Sequence, residues 1–308
     1  MRADKSKGKK KRTWLRVTGA VLLLLILGVG IYVYTIYSSL TSAVDTMHQP
    51  VERETKRPAE ATLEQKEPFS VLMLGVDERP GDRGRSDTMI VLTVNPELNS
   101  VKMLSIPRDT RTEIVGRETQ DKINHAYAFG GVEMSMDTVE HFLDIPIDYY
   151  LQVNMDGFKD IVDAVGGIIV TNDMEFSQGG YQFAEGEILL NGDKALSYVQ
   201  MRKQDPRGDF GRQLRQRQII ESVIKKGASF SSLTKFDDIF GALGKNVKTN
   251  LNFNQMVDIQ RNYKVAGKSI EQMQISGSGT MINSIYYYTV PAEEQQRVQD
   301  ELKQHLDI

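Results

Sequence analysis

Cysteine is absent from the 308-residue chain, which excludes a disulfide framework, a zinc–thiolate site and a cysteine nucleophile. Histidine occurs at only four scattered positions. The sequence has no HExxH, GxSxG or Walker motif, and no GxGxxG follows an apolar run. The common motifs of zinc peptidases, serine hydrolases and nucleotide-binding proteins are therefore missing.

The chain beyond its N-terminus has a net negative charge. Residues 1–16 hold eight Lys or Arg and one acid, so the rest of the chain carries a net charge of −10 within a total of −3. General nucleic-acid binding by so acidic a body is not expected, and we predict no nucleic acid among the partners.

Residues 17–37 contain no charge. As a helix with about 1.5 Å rise per residue they would span roughly 30 Å of hydrocarbon. Tyr32, Tyr34 and Tyr37 lie at one end, as aromatic residues at a membrane interface do. The alternative is a cleaved signal peptide, but the run is longer than a usual signal core and residues 41–43 make a poor cleavage site.

The predicted topology is a single-pass membrane protein in contact with membrane lipid. Residues 1–16 form a basic cytoplasmic tail and residues 17–37 the anchor, because basic flanks stay in the cytoplasm. Residues 38–68 are polar, with three prolines, and predict an extracellular stalk. Residues 69–308 are predicted to form an extracellular domain, which the resemblance described below implies is catalytic.

The body alternates short apolar runs with amphipathic stretches, which predicts an α/β fold: a central mixed β-sheet with helices on both faces. The predicted strands are 69–76, 88–94, 101–106, 149–153, 168–170 and 271–275. The predicted helices are 133–143, 156–164, 193–201, a helix from Asp209, 233–243, 253–265 and a helix from Ala292. Residues 276–280, rich in Gly and Ser, predict a surface loop.

Charged residues stand at the ends of three predicted strands. Asp77 ends the first, Arg85 and Asp87 precede the second, and Arg108 and Asp109 follow the third. The glycine-rich loop at 81–84 allows the first two carboxylates to meet in space. Ligands in α/β proteins gather at strand ends, and two carboxylates with several arginines suit a diphosphate with Mg²⁺. The alternative for each pair is an ordinary salt bridge.

Residues 198–218 are the most arginine-rich stretch of the body; they contain Arg202, Arg207, Arg212, Arg215 and Arg217. Asp209 is predicted to cap a helix on which Arg212 and Gln216 share a face that continues into apolar residues. A helix N-terminus with guanidinium groups is an anion site. The alternative is a solvated helix face, and on either interpretation Arg217 is expected to be exposed.

Five motifs, in order, resemble one family, the LytR-CpsA-Psr proteins. They are G-V-D at 75–77, R-S-D-T at 85–88, S-I-P-R-D at 105–109, K-I-N-H-A-Y at 122–127 and D-F-G-R-Q-L-R-Q at 209–216. The resemblance is strong over residues 69–227 and is greatest to the wall teichoic acid transferases of Gram-positive bacteria. It implies an α-β-α sandwich with an apolar cleft for a polyprenyl chain.

The resemblance also implies an activity. Such proteins use Mg²⁺ to move an anionic glycopolymer from an undecaprenyl-diphosphate carrier to the 6-hydroxyl of N-acetylmuramic acid in peptidoglycan, and undecaprenyl phosphate leaves. By motif, Asp77 and Asp87 would hold the metal. The diphosphate would be bound by Arg85, Arg108, Arg202, Arg212 and Gln216.

The catalytic candidates are Asp87, Arg108, Asp109 and Asp209, and the base stays open among the three carboxylates. One departure is Gln200, where the family often has Arg; the phosphate contact at this position is then either weaker or supplied by Arg207 or Arg215. Two other functions also suit the residues: a lipid-diphosphate hydrolase, or a membrane-anchored polyanion receptor without catalysis.

Overall fold

The computed structural model describes residues 7–54, 56–57, 61–77, 84–229, 243–244 and 246–308. Most of the predicted helix at 233–243, residues 1–6 of the tail and residues 81–83 of the glycine-rich loop lie outside this range. The helices are α1 Lys7–Met47, α2 His125–Leu143, α3 Met155–Ala164, α4 Gly192–Gln200, α5 Asp209–Ala228, α6 Phe253–Asn262 and α7 Ala292–Leu306.

The strands begin with the first predicted one, found with its predicted bounds. They are β1 Phe69–Val76, β2 Ser86–Asn95, β3 Ser100–Ser105, β4 Arg111–Ile114, β5 Thr119–Lys122, β6 Tyr149–Val153, β7 Ile168–Asn172, β8 Phe176–Gln178, β9 Tyr181–Phe183, β10 Gly186–Leu190, β11 Val247–Thr249, β12 Ile270–Gln274, β13 Ser278–Ile282 and β14 Ile285–Thr289.

The central sheet is mixed, as predicted, with strand order β11-β6-β1-β2-β3-β12. Strands β1, β2 and β3 form an antiparallel meander, while β6 and β12 add to it in parallel. Strand β11 closes one edge in antiparallel orientation. The near-continuous apolar sequence of β1 follows from this position, because a central strand covered on both faces has no solvent side.

Helices cover both faces of the sheet, so the α-β-α sandwich is confirmed. Leu72 and Leu74 of β1 face a core formed with α2 and α7. Val71 and Met73, on the other face of the same strand, pack with α5 and α6. The alternation follows from the two-residue period of a strand. The second face, beneath α5, is the one that carries the candidate site.

Three short hairpins were not predicted, because each of their strands is only three to five residues long. They are β4–β5, β8–β9 and β13–β14. The surface loop predicted at 276–280 is therefore wrong in part: its last three residues belong to β13. The β13–β14 hairpin follows β12, at the edge of the sheet opposite β11.

Helix α1 contains the one stretch among the described residues that is long and apolar enough to cross a membrane. It continues without interruption to Met47, ten residues beyond the predicted anchor. Val44 and Met47 are buried in a cluster with Leu243 and Val247, and the Tyr37 ring contacts Phe253 at 5.4 Å between centroids. The body therefore packs directly against the end of the anchor helix.

The segment predicted as a stalk is packed rather than extended. Beyond α1, the Arg53 guanidinium is almost fully buried and pairs with Asp137 at 2.8 Å and Glu140 at 3.0 Å on α2. Arg57 pairs with Asp148 at 2.8 Å. These contacts tie Arg53 and Arg57 to the folded body, so the described part of the segment before residue 68 is not a free linker.

Candidate functional site

An apolar cleft of about 390 Å³ lies between the sheet and helices α3, α4 and α5. Its floor is the face of the sheet that carries Met73 and Leu151, and its roof is helix α5. Its apolar lining includes Val71, Met73, Leu92, Leu151, Val153, Phe158, Ile161, Val162, Leu196, Val199, Ile219, Ile220, Val223 and Ile224. One end is polar and is lined by Asp77, Asp87, Thr88, Gln200, Arg212 and Gln216.

Helix α5 supplies both parts of the cleft. Arg212 and Gln216 share a face with Ile219, Ile220 and Val223, as predicted, and all five line the cleft. Gln216 Nε2 donates to Thr88 Oγ1 at 2.8 Å, which joins the helix to the start of β2. Arg212 Nη2 approaches the carbonyl oxygen of Asp87 at 3.5 Å. The helix therefore carries a polar end and an apolar wall on one stripe.

The predicted capping role of Asp209 is wrong. Asp209 is the first residue of α5, and the N-cap is Gly208, with a φ of 59° that glycine adopts without strain. The Asp209 carboxylate instead forms ion pairs, with Arg212 Nη2 at 2.8 Å and Arg202 Nε at 3.9 Å. It therefore orients the guanidinium groups instead of closing the helix.

Arg108 contributes a second guanidinium at the polar end. Its Nη1 donates to Asp87 Oδ1 at 2.5 Å, and its Nε lies 3.7 Å from Asp109. Burial alone would lower the pKa of Arg108, but the hydrogen bond and charge of Asp87, supported by Asp209, raise it above its ordinary value. The Arg108 charge is therefore fixed in place by carboxylates.

Arg212 is the least solvated charge of the group, with 14% of its side chain exposed. Burial lowers its pKa and nearby Arg108 lowers it further, against the stabilising charge of Asp209. Its Nε is buried and has no hydrogen-bond partner among the described residues. A buried donor without a partner is costly, so an anionic guest at the polar end would stabilise Arg212.

Not every predicted residue lies in the cleft lining. Arg85 is exposed at the start of β2, and Arg202 is exposed beyond Asp209. Asp109 pairs with Lys122 Nζ at 2.7 Å, a contact that the sequence reasoning missed. The structure thus brings Asp77, Asp87, Arg212 and Gln216 to one place, with Arg108 behind Asp87.

The sequence of the chain was compared with those of known protein families. The LytR_cpsA_psr family model matches residues 34–304. The chain belongs to this family.

Relatives in the LytR_cpsA_psr family are similar over nearly the whole chain. A protein of Bacillus cereus (strain AH820), named polyisoprenyl-teichoic acid–peptidoglycan teichoic acid transferase TagU, is 55% identical over 97% of this chain and 99% of its own. The crystal structure of B. subtilis TagU is 52% identical with a TM-score of 0.64, covering 78% of this chain and 97% of that one. The structure of TagT bound to LI-WTA is 32% identical with a TM-score of 0.72, covering 85% and 100%.

Two arginines outside the cleft lining, Arg207 before α5 and Arg215 on it, have structural partners. Arg215 is buried; its Nη1 donates to Asp205 Oδ2 at 2.6 Å and its Nη2 to the Met201 carbonyl at 2.7 Å. Arg207 pairs with the same Asp205 at 2.9 Å. Both guanidinium groups are held by Asp205 and neither lines the cleft, so they do not replace an arginine at position 200, and the alternative of a weaker phosphate contact remains.

Arg217 is also buried, with its Nε donating to Gln272 Oε1 at 3.0 Å on β12, and its pKa is lowered by burial. The expectation of an exposed Arg217 is therefore wrong, and a solvated helix face is excluded for α5. No local spacing in the sequence signals this burial, because the partner Gln272 lies fifty-five residues away along the chain.

The donor set at the polar end suits a hard cation. Among the described residues no group of three or more His, Cys, Asp or Glu side chains could hold a metal ion alone. Asp77 and Asp87 both line the cleft, and Mg²⁺ commonly takes one or two carboxylates and completes its shell with water and substrate phosphate. The residues present therefore fit an ion that is shared with a phosphorylated ligand.

The contact of Gly211 with Asp205 gives a prediction. A Cβ at Gly211 would lie 1.9 Å from Asp205 Oδ2, so Gly211→Ala should displace the carboxylate that binds Arg215. Breaking a buried pair costs roughly 3–5 kcal/mol. We expect the melting temperature of the full-length protein in detergent to fall by roughly 6–12 °C.

The matched control is Gly227→Ala on the same helix, where a Cβ meets nothing within 4 Å. This change should be neutral or should stabilise by about 0.5–1 kcal/mol, because alanine favours a helix. Equal melting temperatures for the two variants would show that the Asp205 contact does not constrain α5.

Proposed function

We propose that this protein transfers a teichoic acid polymer from a polyprenyl-diphosphate carrier to peptidoglycan. The observation that carries the proposal is the single cleft that joins an apolar channel to a cluster of guanidinium and carboxylate groups. A guest that fits both parts has a long apolar chain and an anionic head. Lipid-linked diphosphates have this construction.

The polymer and the acceptor are proposed from the relatives. The names of the TagU proteins state a polyisoprenyl-teichoic acid donor and a peptidoglycan acceptor. The solved TagT complex carries LI-WTA, and its fold matches the present one. A donor of this kind would place its lipid along the α5 wall and its phosphates near Arg212.

The arginines would stabilise the negative charge of the diphosphate. Arg212 Nε is buried and Arg108 is fixed by Asp87, so both guanidinium groups are preorganised before a ligand arrives. Phosphoryl transfer gains most from fixed positive charge around the phosphoryl oxygens and the leaving group. Gln216 would add a neutral amide donor, and Arg85 and Arg202 would contact the exposed outer phosphate or polymer.

We propose Mg²⁺ as the cofactor, held by Asp77 and Asp87. When bound, the ion would neutralise diphosphate charge as a Lewis acid. Arg108 would keep its contact with Asp87 Oδ1 and offer its remaining N–H groups to the phosphate, since a guanidinium binds phosphate as well as it binds a carboxylate.

In the proposed reaction, the 6-hydroxyl oxygen of N-acetylmuramic acid attacks the phosphorus nearest the polymer. A new phosphodiester bond forms, the bond from that phosphorus to the bridging oxygen breaks, and undecaprenyl phosphate leaves. Of the three carboxylates open as the base, Asp87 lines the cleft and half of its side chain is exposed. Asp109 and Asp209 lie outside the lining, so we assign the hydroxyl proton to Asp87, on the carboxylate oxygen that would not hold the ion.

The location of the body follows from the same proposal. The carrier lipid resides in a membrane, and α1 provides one candidate span directly joined to the body. We propose that the N-terminus is cytoplasmic and the body extracellular, because the acceptor is outside the cell and the basic residues precede the span.

The experiment that tests the function uses purified full-length protein with a lipid-linked teichoic acid precursor and peptidoglycan. We expect polymer on the glycan and undecaprenyl phosphate in the lipid fraction. Release of free polymer phosphate without need of an acceptor would instead support a hydrolase. Binding of polymer without any turnover would support a receptor.

The metal assignment gives a second prediction for the same assay. Asp77→Asn and Asp87→Asn should each reduce Mg²⁺-dependent transfer by at least tenfold, because each removes a charged oxygen ligand. Titration of Mn²⁺ binding by electron paramagnetic resonance gives a readout independent of turnover. Wild-type affinity for the ion in both variants would remove the metal role from this pair.

Arg212 gives the third prediction of this site. Arg212→Lys keeps the charge but loses the planar fork that contacts two oxygens. A charge-assisted hydrogen bond contributes about 1.5–3 kcal/mol, so we expect affinity for a short polyprenyl diphosphate to fall roughly ten- to a hundredfold. The measurement is isothermal titration calorimetry.

The control is Arg261→Lys, because the Arg261 side chain is 70% exposed and its ion pair with Asp258 is 3.7 Å long. Such an exposed pair contributes about 0–1 kcal/mol, so binding should not change. If both lysine variants bind as wild type does, Arg212 does not contact the diphosphate.

A further inference from the structure

An exposed aromatic and apolar face lies on the β13–β14 hairpin. Tyr286 is 45% exposed and Met281, its partner across the hairpin, is 63% exposed. Tyr288 points to the same side, two residues along the strand from Tyr286, but it is buried beneath the surface, with 6% exposed. Soluble surfaces seldom gather large apolar side chains in this way without a partner.

Glycines shape this face. Gly279 lies opposite Tyr288 in the hairpin, and a Cβ there would meet the Tyr286 ring at 2.7 Å. A Cβ at Gly277 would meet the Tyr288 ring at 2.8 Å. The absence of side chains at these two positions lets the tyrosine rings lie against the backbone of the neighbouring strand. The hairpin thus presents the Tyr286 ring outward, while the buried Tyr288 ring lies between the hairpin and Phe210.

The face is continuous with the candidate active site. The exposed Phe210 ring, on the first turn of α5, lies 5.5 Å from the Tyr288 ring. Phe210 follows Asp209, which pairs with Arg212. On the other side, the Tyr288 amide donates to the Asp109 carbonyl at 2.8 Å. A ligand lying on Tyr286 and Phe210 would therefore extend toward the charged end of the cleft.

We propose that this face binds the acceptor glycan strand, with sugar rings stacked on Tyr286 and Phe210. This inference rests on the proposed function, since the acceptor must approach the cleft from outside while the donor lipid fills it. A sugar ring has an apolar C–H face and polar hydroxyl edges. The Tyr286 and Phe210 rings complement the apolar face of the sugar, and the Tyr286 hydroxyl complements its polar edge.

The position of the face on the sheet favours a glycan over a lipid surface. The hairpin follows β12 at one edge of the six-stranded sheet, whereas the end of α1 packs near β11 and α6 at the other edge. Five strand spacings of about 4.8 Å separate the edges by roughly 24 Å. The aromatic face therefore lies on the side of the body away from the membrane anchor.

The test compares variants in full-length protein held in lipid nanodiscs. The probe is a soluble glycan of alternating N-acetylglucosamine and N-acetylmuramic acid, with binding measured by calorimetry. Tyr286→Ala should weaken binding roughly two- to tenfold, the loss expected for one aromatic contact. Tyr286→Trp keeps a ring and should retain affinity. Leu98→Ala, at a side chain 60% exposed in the β2–β3 turn, is the matched control and should bind as wild type does.

Kinetics separate this inference from the proposed function. In the transfer assay Tyr286→Ala should raise KM for the glycan and leave KM for the lipid-linked donor unchanged. If wild type transfers polymer but Tyr286→Ala and Leu98→Ala have the same glycan affinity and KM, the inference fails and the function stands. If wild type does not transfer polymer, the function fails, while a specific loss of glycan binding in Tyr286→Ala would still support the face.

A lipid contact is the competing outcome. Trp14 is the only tryptophan, so Tyr286→Trp in a Trp14→Phe background reports on one place. Its fluorescence should not be quenched by brominated lipids in the nanodisc. Strong quenching would put the face on the bilayer and overturn the inference.

Discussion

The buried ion pair between Arg215 and Asp205 holds the candidate site together. It ties the turn that follows α4 to the second turn of α5, and Gly211 leaves the space that Asp205 needs. A buried pair is weak evidence for stability, since desolvation offsets most of the attraction, but losing one partner leaves an uncompensated charge. Its consequence here is positional: the start of α5 is fixed, and with it Asp209 and Arg212.

From that fixed start, α5 places its charged side chain at one end of the cleft and its apolar side chains along the rest. Arg212 and Val223 both line it and are eleven residues apart, or about 16 Å along a helix. Charge is therefore confined to one end, and the remaining wall is apolar. Such a cleft selects ligands that have both an anionic head and an apolar chain. A free anion leaves the apolar wall empty, and a plain hydrocarbon leaves the Arg212 Nε without a partner.

The sequence predicted those features of the fold that depend on the periodicity of a single strand or helix. The bounds of β1 and the shared face of Arg212 and Gln216 follow from periods of two and 3.6 residues. Burial of Arg217 did not follow, because it depends on Gln272, fifty-five residues away. The N-cap failed for a related reason: Asp209 has guanidinium partners that compete for its carboxylate.

The packing of the anchor helix adds a spatial constraint on the proposed reaction. Leu151, Val153 and Ile161 line the cleft and also pack against the buried cluster that contains Val44 and Met47. One layer of side chains thus separates the apolar cleft from the C-terminal end of α1. Val44 and Met47 lie seven and ten residues beyond the predicted span, so a lipid carrier would be lifted roughly 10–15 Å out of the bilayer to reach the cleft. The acceptor, approaching from the opposite edge of the sheet, would meet the phosphate without crossing the path of the lipid.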